Sequence, residues 1–219
     1  MTSSQNLTRV CVVGAESTGT TTLAQQLAAH YHTLWVPEYG REYSERLAAE
    51  GMDLWHYRWR SEEFTHIARV QLEREDAAAE DLAGTDSASK DAASRVLICD
   101  TDALATAIWH ERYMGDRSPE VEAMAEARHY DLYILTGCEI PFVQDGIRDG
   151  ENIRQWMTGR FEEELERGHR RWIKVSGTSE ERLQTAIATV DALLEPAPKP
   201  GISSAAFPAS PRLCVTLAT

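Results

Sequence analysis

The chain has 219 residues, 42% hydrophobic and 26% charged, enough for one domain of ordinary size with a core that needs no disulfide or metal staple. Its 22 Lys and Arg face 35 Asp and Glu, a net charge of −13 that repels phosphate backbones and anionic lipid, so neither nucleic acid nor a membrane surface is an expected partner. No apolar run approaches the roughly 20 residues of a spanning helix, and Met1–Thr8 is too polar for a secretion signal, so a cytoplasmic location is expected.

In chain order, Arg9–Val13 predicts a first strand and Leu23–His30 a helix that begins just before it. Thr33–Val36 predicts a second, short strand. Helices follow at Arg41–Ala49 and Ser61–Leu82, the latter carrying Phe64, Ile67, Ala68 and Gln71 at helical spacing. Gly84–Ser94 is small and polar and reads as an exposed loop. Arg95–Cys99 predicts a third strand, followed by helices to about Met114 and over Pro119–Arg128. Asp131–Thr136 and Trp172–Val175 predict the last two strands, with helices at Glu151–Arg167 and Ser179–Leu194. Strands separated by helices pair in parallel through right-handed crossovers, which gives a three-layer α/β domain. That domain is expected to occupy residues 1–195, and the Pro/Ala/Ser-rich segment 196–219 to be a disordered tail.

The chemistry sits after the first strand. Gly14, Ala15, Glu16, Ser17, Thr18, Gly19, Thr20 and Thr21, followed by Thr22 and the helix, match a phosphate-binding loop of the form G-x-x-x-x-G-K-[ST], except that Thr20 stands where the pattern has lysine. Such glycines let backbone N–H groups turn inward around an anion, and the helix N-terminus adds its positive end. Thr21 would offer its hydroxyl to Mg²⁺. Losing a charge-assisted hydrogen bond forfeits about 1.5–3 kcal/mol, so nucleotide binding would survive at about ten- to hundredfold lower affinity. Phosphoryl transfer leans harder on electrostatics and needs a cation from elsewhere. The lysines are Lys90, Lys174 and Lys199, none near this loop in sequence, which leaves arginine, with Arg148 and Arg154 the candidates.

Asp100 closes the apolar run of the third strand, at the sheet edge where ligands of open α/β proteins bind. An acid there suits the water-mediated grip on Mg²⁺. Asp102 either bonds a sugar hydroxyl or caps the helix from Ala103, roles that are not exclusive. Glu38 follows the second strand and faces the same edge, where it would orient or deprotonate a hydroxyl nucleophile or grip a ribose. Tyr39 and Tyr43, one turn apart, either stack on a flat heterocycle or pack in the core. Arg154 has a surface ion pair with Glu151 as its plainer reading, and Glu162-Glu163-Glu164 reads as a solvated helix face. Among the tryptophans, Trp55, Trp59 and Trp109 read as helical core before substrate clamp.

Four runs carry a resemblance. GAESTGTTTLAQQLA, PEYGREY (Pro37–Tyr43), ICDTDALAT (Ile98–Thr106) and IPFVQDGIRDG (Ile140–Gly150) resemble, in order, the signature runs of bacterial nicotinamide riboside kinases of the NadR type. These are P-loop small-molecule kinases with a sheet like that of nucleoside monophosphate kinases. The resemblance spans about Arg9 to Leu194 and implies a five-stranded parallel sheet, ATP and Mg²⁺ as cofactors, and a small nucleoside as partner. It implies that Arg41 and Glu42 line the acceptor pocket. Asp145 and Arg148 would lie in a lid over the phosphates, Asp145 toward the substrate, while Arg148 and Arg154 offer guanidinium groups to the transferring phosphoryl. The turn Ser176-Gly177 would sit near the adenine. The departure is Thr20. A kinase acting on a nucleoside 5′-hydroxyl is therefore one expectation, and a nucleotide-binding regulator without turnover is the alternative.

Overall fold

In a computed structural model of the chain, the described residues are 7–84, 95–143 and 151–195. The strands are β1 (Thr8–Val13), β2 (Trp35–Val36), β3 (Val96–Asp100), β4 (Leu132–Thr136) and β5 (Trp172–Val175). The helices are α1 (Thr20–His30), α2 (Tyr39–Ala49), α3 (Ser61–Gly84), α4 (Ala103–Met114), α5 (Pro119–Ala127), α6 (Arg154–Arg167) and α7 (Ser179–Leu194). All pairings are parallel and the strand order is β2-β3-β1-β4-β5, so β1 is central.

Side chains alternate across each strand and fill two cores. Cys11, Val13, Leu97, Cys99, Tyr133 and Leu135 face the layer of α3, α4, α5 and α6, where they meet Phe64, Ala68, Leu104, Ile108, Val121, Met157 and Phe161. Val10, Val12, Val96, Ile98, Leu132 and Ile134 face α1 and α7, against Leu23, Leu27, Ala186 and Val190. Cys11 and Cys99 are fully buried, as small hydrophobes.

Element ends differ from the sequence expectation by a residue or two. The second strand shortens to Trp35–Val36 because the Thr33 N–H bonds back to the Ala28 carbonyl of α1 at 3.0 Å instead of pairing with β3. The helix expected from Glu151 opens with a 3₁₀ turn, Glu151–Ile153, before α6 begins at Arg154. α7 starts where a capping box places it, with Thr178 and Glu181 each satisfying the other's backbone N–H. The acidic run on α6 is a partial correction. Glu162 pairs with Lys174 near the surface, but Glu164 is buried beneath Arg117, Arg160 and Arg167, because the turn of α6 that carries it packs toward α4. Most of the polar loop after α3, the segment holding Asp145 and Arg148, and the tail lie outside the described residues.

Candidate active site

β1 ends between β3 and β4, and the backbone there turns into α1 through the glycine-containing loop. Ser17 has φ 57° and Gly19 φ 82°, two left-handed positions of the kind that let backbone N–H groups turn inward around an anion. Gly14 is required by space: a Cβ there would lie 2.1 Å from the Thr136 Oγ1 and 2.7 Å from the Thr18 Oγ1. Those two hydroxyls are 2.6 Å apart, and Thr18 also donates to the Ala15 carbonyl at 2.6 Å, which ties the loop to the end of β4. Thr18 is thus a buried strut of the loop.

β1 and β3 pair with Val12 opposite Asp100, so the acidic residue lies beside the loop's exit into α1. Asp100 is 1% exposed, and neither of its carboxylate oxygens completes a hydrogen bond. Burial pushes its carboxyl up to about 6, against the hydroxyls of Thr21 and Thr20 and the charge of Arg41, which hold it down. A buried carboxylate whose oxygens complete no hydrogen bond, next to a threonine hydroxyl, is a hard oxygen donor set, and it fits Mg²⁺, which binds through few protein ligands and keeps its waters. Asp100 and Thr21 would hold such an ion.

A cleft runs from this loop across the sheet edge. It is lined by Gly14, Ala15, Glu16, Ser17, Thr20 and Thr21 of the loop, by Glu38, Arg41 and Ser44, and by the aromatic side chains of Trp59, Trp109 and Tyr113. Trp59 and Tyr113 have ring centroids 5.4 Å apart, and Tyr113 stacks on Trp109 at 6.0 Å with planes 22° apart. Arg112 covers the Tyr113 ring at 4.4 Å. This wall comes from two places, the loop before α3 and the outer turns of α4. Trp59 and Trp109 are half-buried and pack against the core as expected, and they also line the cleft, whereas Trp55 is 58% exposed. Ser44, Gln71, Thr106 and Tyr113 also reach the cleft without having been singled out from sequence; Tyr113 falls four residues after Trp109, the helical spacing that brings two rings together.

Other singled-out residues sit elsewhere. Asp102 caps α4, accepting from the Ala105 N–H at 2.9 Å, and its second oxygen accepts from the Tyr133 hydroxyl at 2.7 Å. Both oxygens are used internally and burial raises its carboxyl, so it is not among the residues lining the cleft. Tyr39 is buried, with its hydroxyl 3.1 Å from His66 and Arg74 above its ring, which is the packing role. Glu42 points outward into a two-pronged bond with Arg74 at 2.6 and 2.8 Å. Thr22 continues the first turn of α1 outside the cleft.

Two arginines approach the phosphate loop from behind. Arg154 is buried; its Nη2 donates to the carbonyls of Ile140 at 2.7 Å and Ser17 at 3.3 Å, and its Nε has no partner among the described residues. Arg182, on α7, is 3% exposed and donates from Nη1 to the Thr18 carbonyl at 2.7 Å, from Nη2 to Gly137 at 3.2 Å and from Nε to Gly177 at 3.0 Å. It also pairs with Glu139, which accepts the Gly177 N–H at 2.8 Å. Gly177 thus belongs to the same bracket behind the loop, with Ser176 before it. Arg182 carried no sequence signal: one arginine in a charged helical stretch reads as exposed.

A glycine-containing loop between the central strand and its helix, with a buried acid at the tip of the neighbouring strand, defines a P-loop nucleotide-binding α/β protein. A family model described as an AAA domain matches residues 9–182, and the chain belongs to that family. Among curated proteins, the trifunctional NAD biosynthesis/regulator protein NadR of Escherichia coli (strain K12) is 28% identical over 172 residues, covering 76% of this chain and 37% of its own length. NadR of Salmonella typhimurium (strain LT2) is 30% identical over 143 residues, covering 64% of this chain and 30% of its own length. The chain therefore spans about a third of the length of these relatives. Two solved structures, a NadR protein in complex with NR and one in complex with NAD and AMP-PNP, superpose with a TM-score of 0.65 over 91% of this chain, at 19% and 20% identity. They cover 53% and 52% of those chains and show the shared fold. Among the described residues no helix is long and apolar enough to cross a membrane.

Proposed function

We propose that the chain is an ATP-dependent kinase that transfers the γ-phosphoryl group to the 5′-hydroxyl of a nucleoside, nicotinamide riboside first among candidates. The observation that carries this is one cleft lined together by the phosphate loop, by the aromatic side chains Trp59, Trp109 and Tyr113, and by a carboxylate, Glu38. A nucleoside offers a flat base to Trp59, Trp109 and Tyr113 and a sugar hydroxyl toward the phosphates. A pyridinium base is also a cation, which favours aromatic faces in an acidic protein. The likeness to NadR, and to a NadR structure bound to NR, supports the same reading.

In this reading Gly14–Thr21 hold the triphosphate through backbone N–H groups, and Asp100 with Thr21 would hold Mg²⁺, which would supply charge neutralisation at the phosphates. Glu38 orients the acceptor hydroxyl and takes its proton as the oxygen–phosphorus bond forms and the bond from the γ-phosphorus to the bridging oxygen breaks, with ADP as the leaving group. Arg41 lies beside it in the cleft and contributes positive charge. Ser176-Gly177 belong to the adenine side of this proposal, while Asp145 and Arg148 lie outside the described residues.

Coupled ADP release with nicotinamide riboside and Mg-ATP tests the proposal. Turnover is expected, with Glu38→Gln lowering kcat and Trp109→Ala raising the KM for the nucleoside while leaving that for ATP nearly unchanged. Thr20 favours a second reading, nucleotide binding without transfer. Binding of Mg-ATP with no ADP formed from any nucleoside, and activity appearing only in Thr20→Lys, establishes that reading instead.

A further inference from the structure

The missing lysine leaves an electrostatic gap at the phosphate loop, and two arginines among the described residues donate to its backbone carbonyls. All peptide bonds described are trans, so each peptide's carbonyl and N–H point to opposite sides. Arg154 takes the Ser17 carbonyl and Arg182 the Thr18 carbonyl, which turns the N–H groups of Thr18 and Gly19 to the side away from the guanidinium groups. A carbonyl held by a guanidinium is polarised, and the N–H of the same peptide becomes a stronger donor. Arg182 is the tighter of the two, at 2.7 Å against 3.3 Å, and three carbonyls fix its fork. Its carboxylate partner, Glu139, is 44% exposed in its side chain, so the pair forms a dipole whose positive end is buried against the loop.

We propose that Arg182 is a positioning residue for the triphosphate: it sets the Thr18–Gly19 peptide and delivers through it, from behind, positive charge that the usual lysine delivers from in front. The inference rests on the reading of the loop as a triphosphate site and not on the identity of the acceptor. It assigns Glu139 the opposite sign, because that carboxylate drains part of the charge away.

The test is calorimetric titration of the full chain with Mg-ATP and with inorganic tripolyphosphate, and of nicotinamide riboside as the control ligand. Arg182→Gln is expected to weaken both phosphate ligands about ten- to hundredfold and to leave the nucleoside unaffected, while Arg182→Lys keeps most of the affinity. Glu139→Gln is expected to tighten the phosphate ligands, by up to about fivefold. Thr20→Lys should raise affinity more in the Arg182→Gln background than in the wild type, since each cation then replaces the other. A purely structural bracket predicts otherwise: Glu139→Gln weakens binding, and Thr20→Lys gives the same gain in both backgrounds. Either result overturns the proposal, as does a wild-type chain that binds no triphosphate. If Arg182→Gln does not fold, the sign of the Glu139→Gln effect decides alone. Triphosphate binding with these coupled effects but no ADP from nicotinamide riboside would overturn the kinase reading and leave this one standing.

Discussion

Asp100→Asn separates what the site needs from what the fold needs. The carboxyl is moved from its ordinary value of 3.8 to about 6, chiefly by burial. An ionised Asp100 thus opposes folding by about 3 kcal/mol at neutral pH, about 2 of which accumulates between pH 4.5 and 7.5. The sign follows from proton uptake: the folded chain binds the proton more tightly than the unfolded chain. This group's effect is most favourable to the fold below pH 4 and becomes unfavourable as pH rises through 6. An asparagine does not titrate, so the stability difference, variant minus wild type, should grow by about 2 kcal/mol from pH 4.5 to 7.5. The constant cost of burying an amide cancels from that slope. Urea unfolding at several pH values measures it, and other buried acids, such as Glu75 with its carboxyl pushed up to about 7, cancel because both proteins carry them. Mg-ATP at a hundred times its Kd should stabilise the wild type by about 2.7 kcal/mol and the variant far less. A difference that stays flat with pH, or equal stabilisation of both proteins by Mg-ATP, refutes the reasoning.

Gly14→Ala drives a methyl group into Thr136 and Thr18, and is expected to cost about 1–3 kcal/mol of stability together with Mg-ATP binding, read by thermal shift with and without nucleotide. Glu164→Ala leaves Arg117, Arg160 and Arg167 converging on an empty site and should cost about 3 kcal/mol in urea unfolding, unlike Glu162→Ala on the outer face, which should change little. Thr178→Ala removes half of the α7 capping box, with an expected loss of about 1 kcal/mol; because α7 carries Arg182, a companion fall in triphosphate affinity should appear in the same titration.

The parts of this molecule readable from sequence are those whose cause is local. The strand-to-helix loop announces itself because φ above zero at Gly19 and the absence of a Cβ at Gly14 are demands on single residues at fixed spacing. The α/β layering follows from apolar runs of strand length alternating with helical periodicity, and Asp100 stands out as a charge ending such a run. What stayed hidden depends on which elements become neighbours. Strand order 2-3-1-4-5 seats Asp100 against the loop, and no one-dimensional pattern encodes that order. The aromatic wall joins Trp59 to Tyr113 across 54 positions, and Arg182 reaches Thr18 across 164. Periodicity marks the buried face of a helix but not the partner packed on it, so Arg182 and Glu164 read as solvated charges until the fold surrounds them with carbonyls and guanidinium groups. Asp102 shows the same limit inside one motif, since its second oxygen finds Tyr133 on a different strand. Backbone geometry is written residue by residue, whereas burial of a charge is a property of the assembled layers, and only the layers decided where this protein keeps its positive charge.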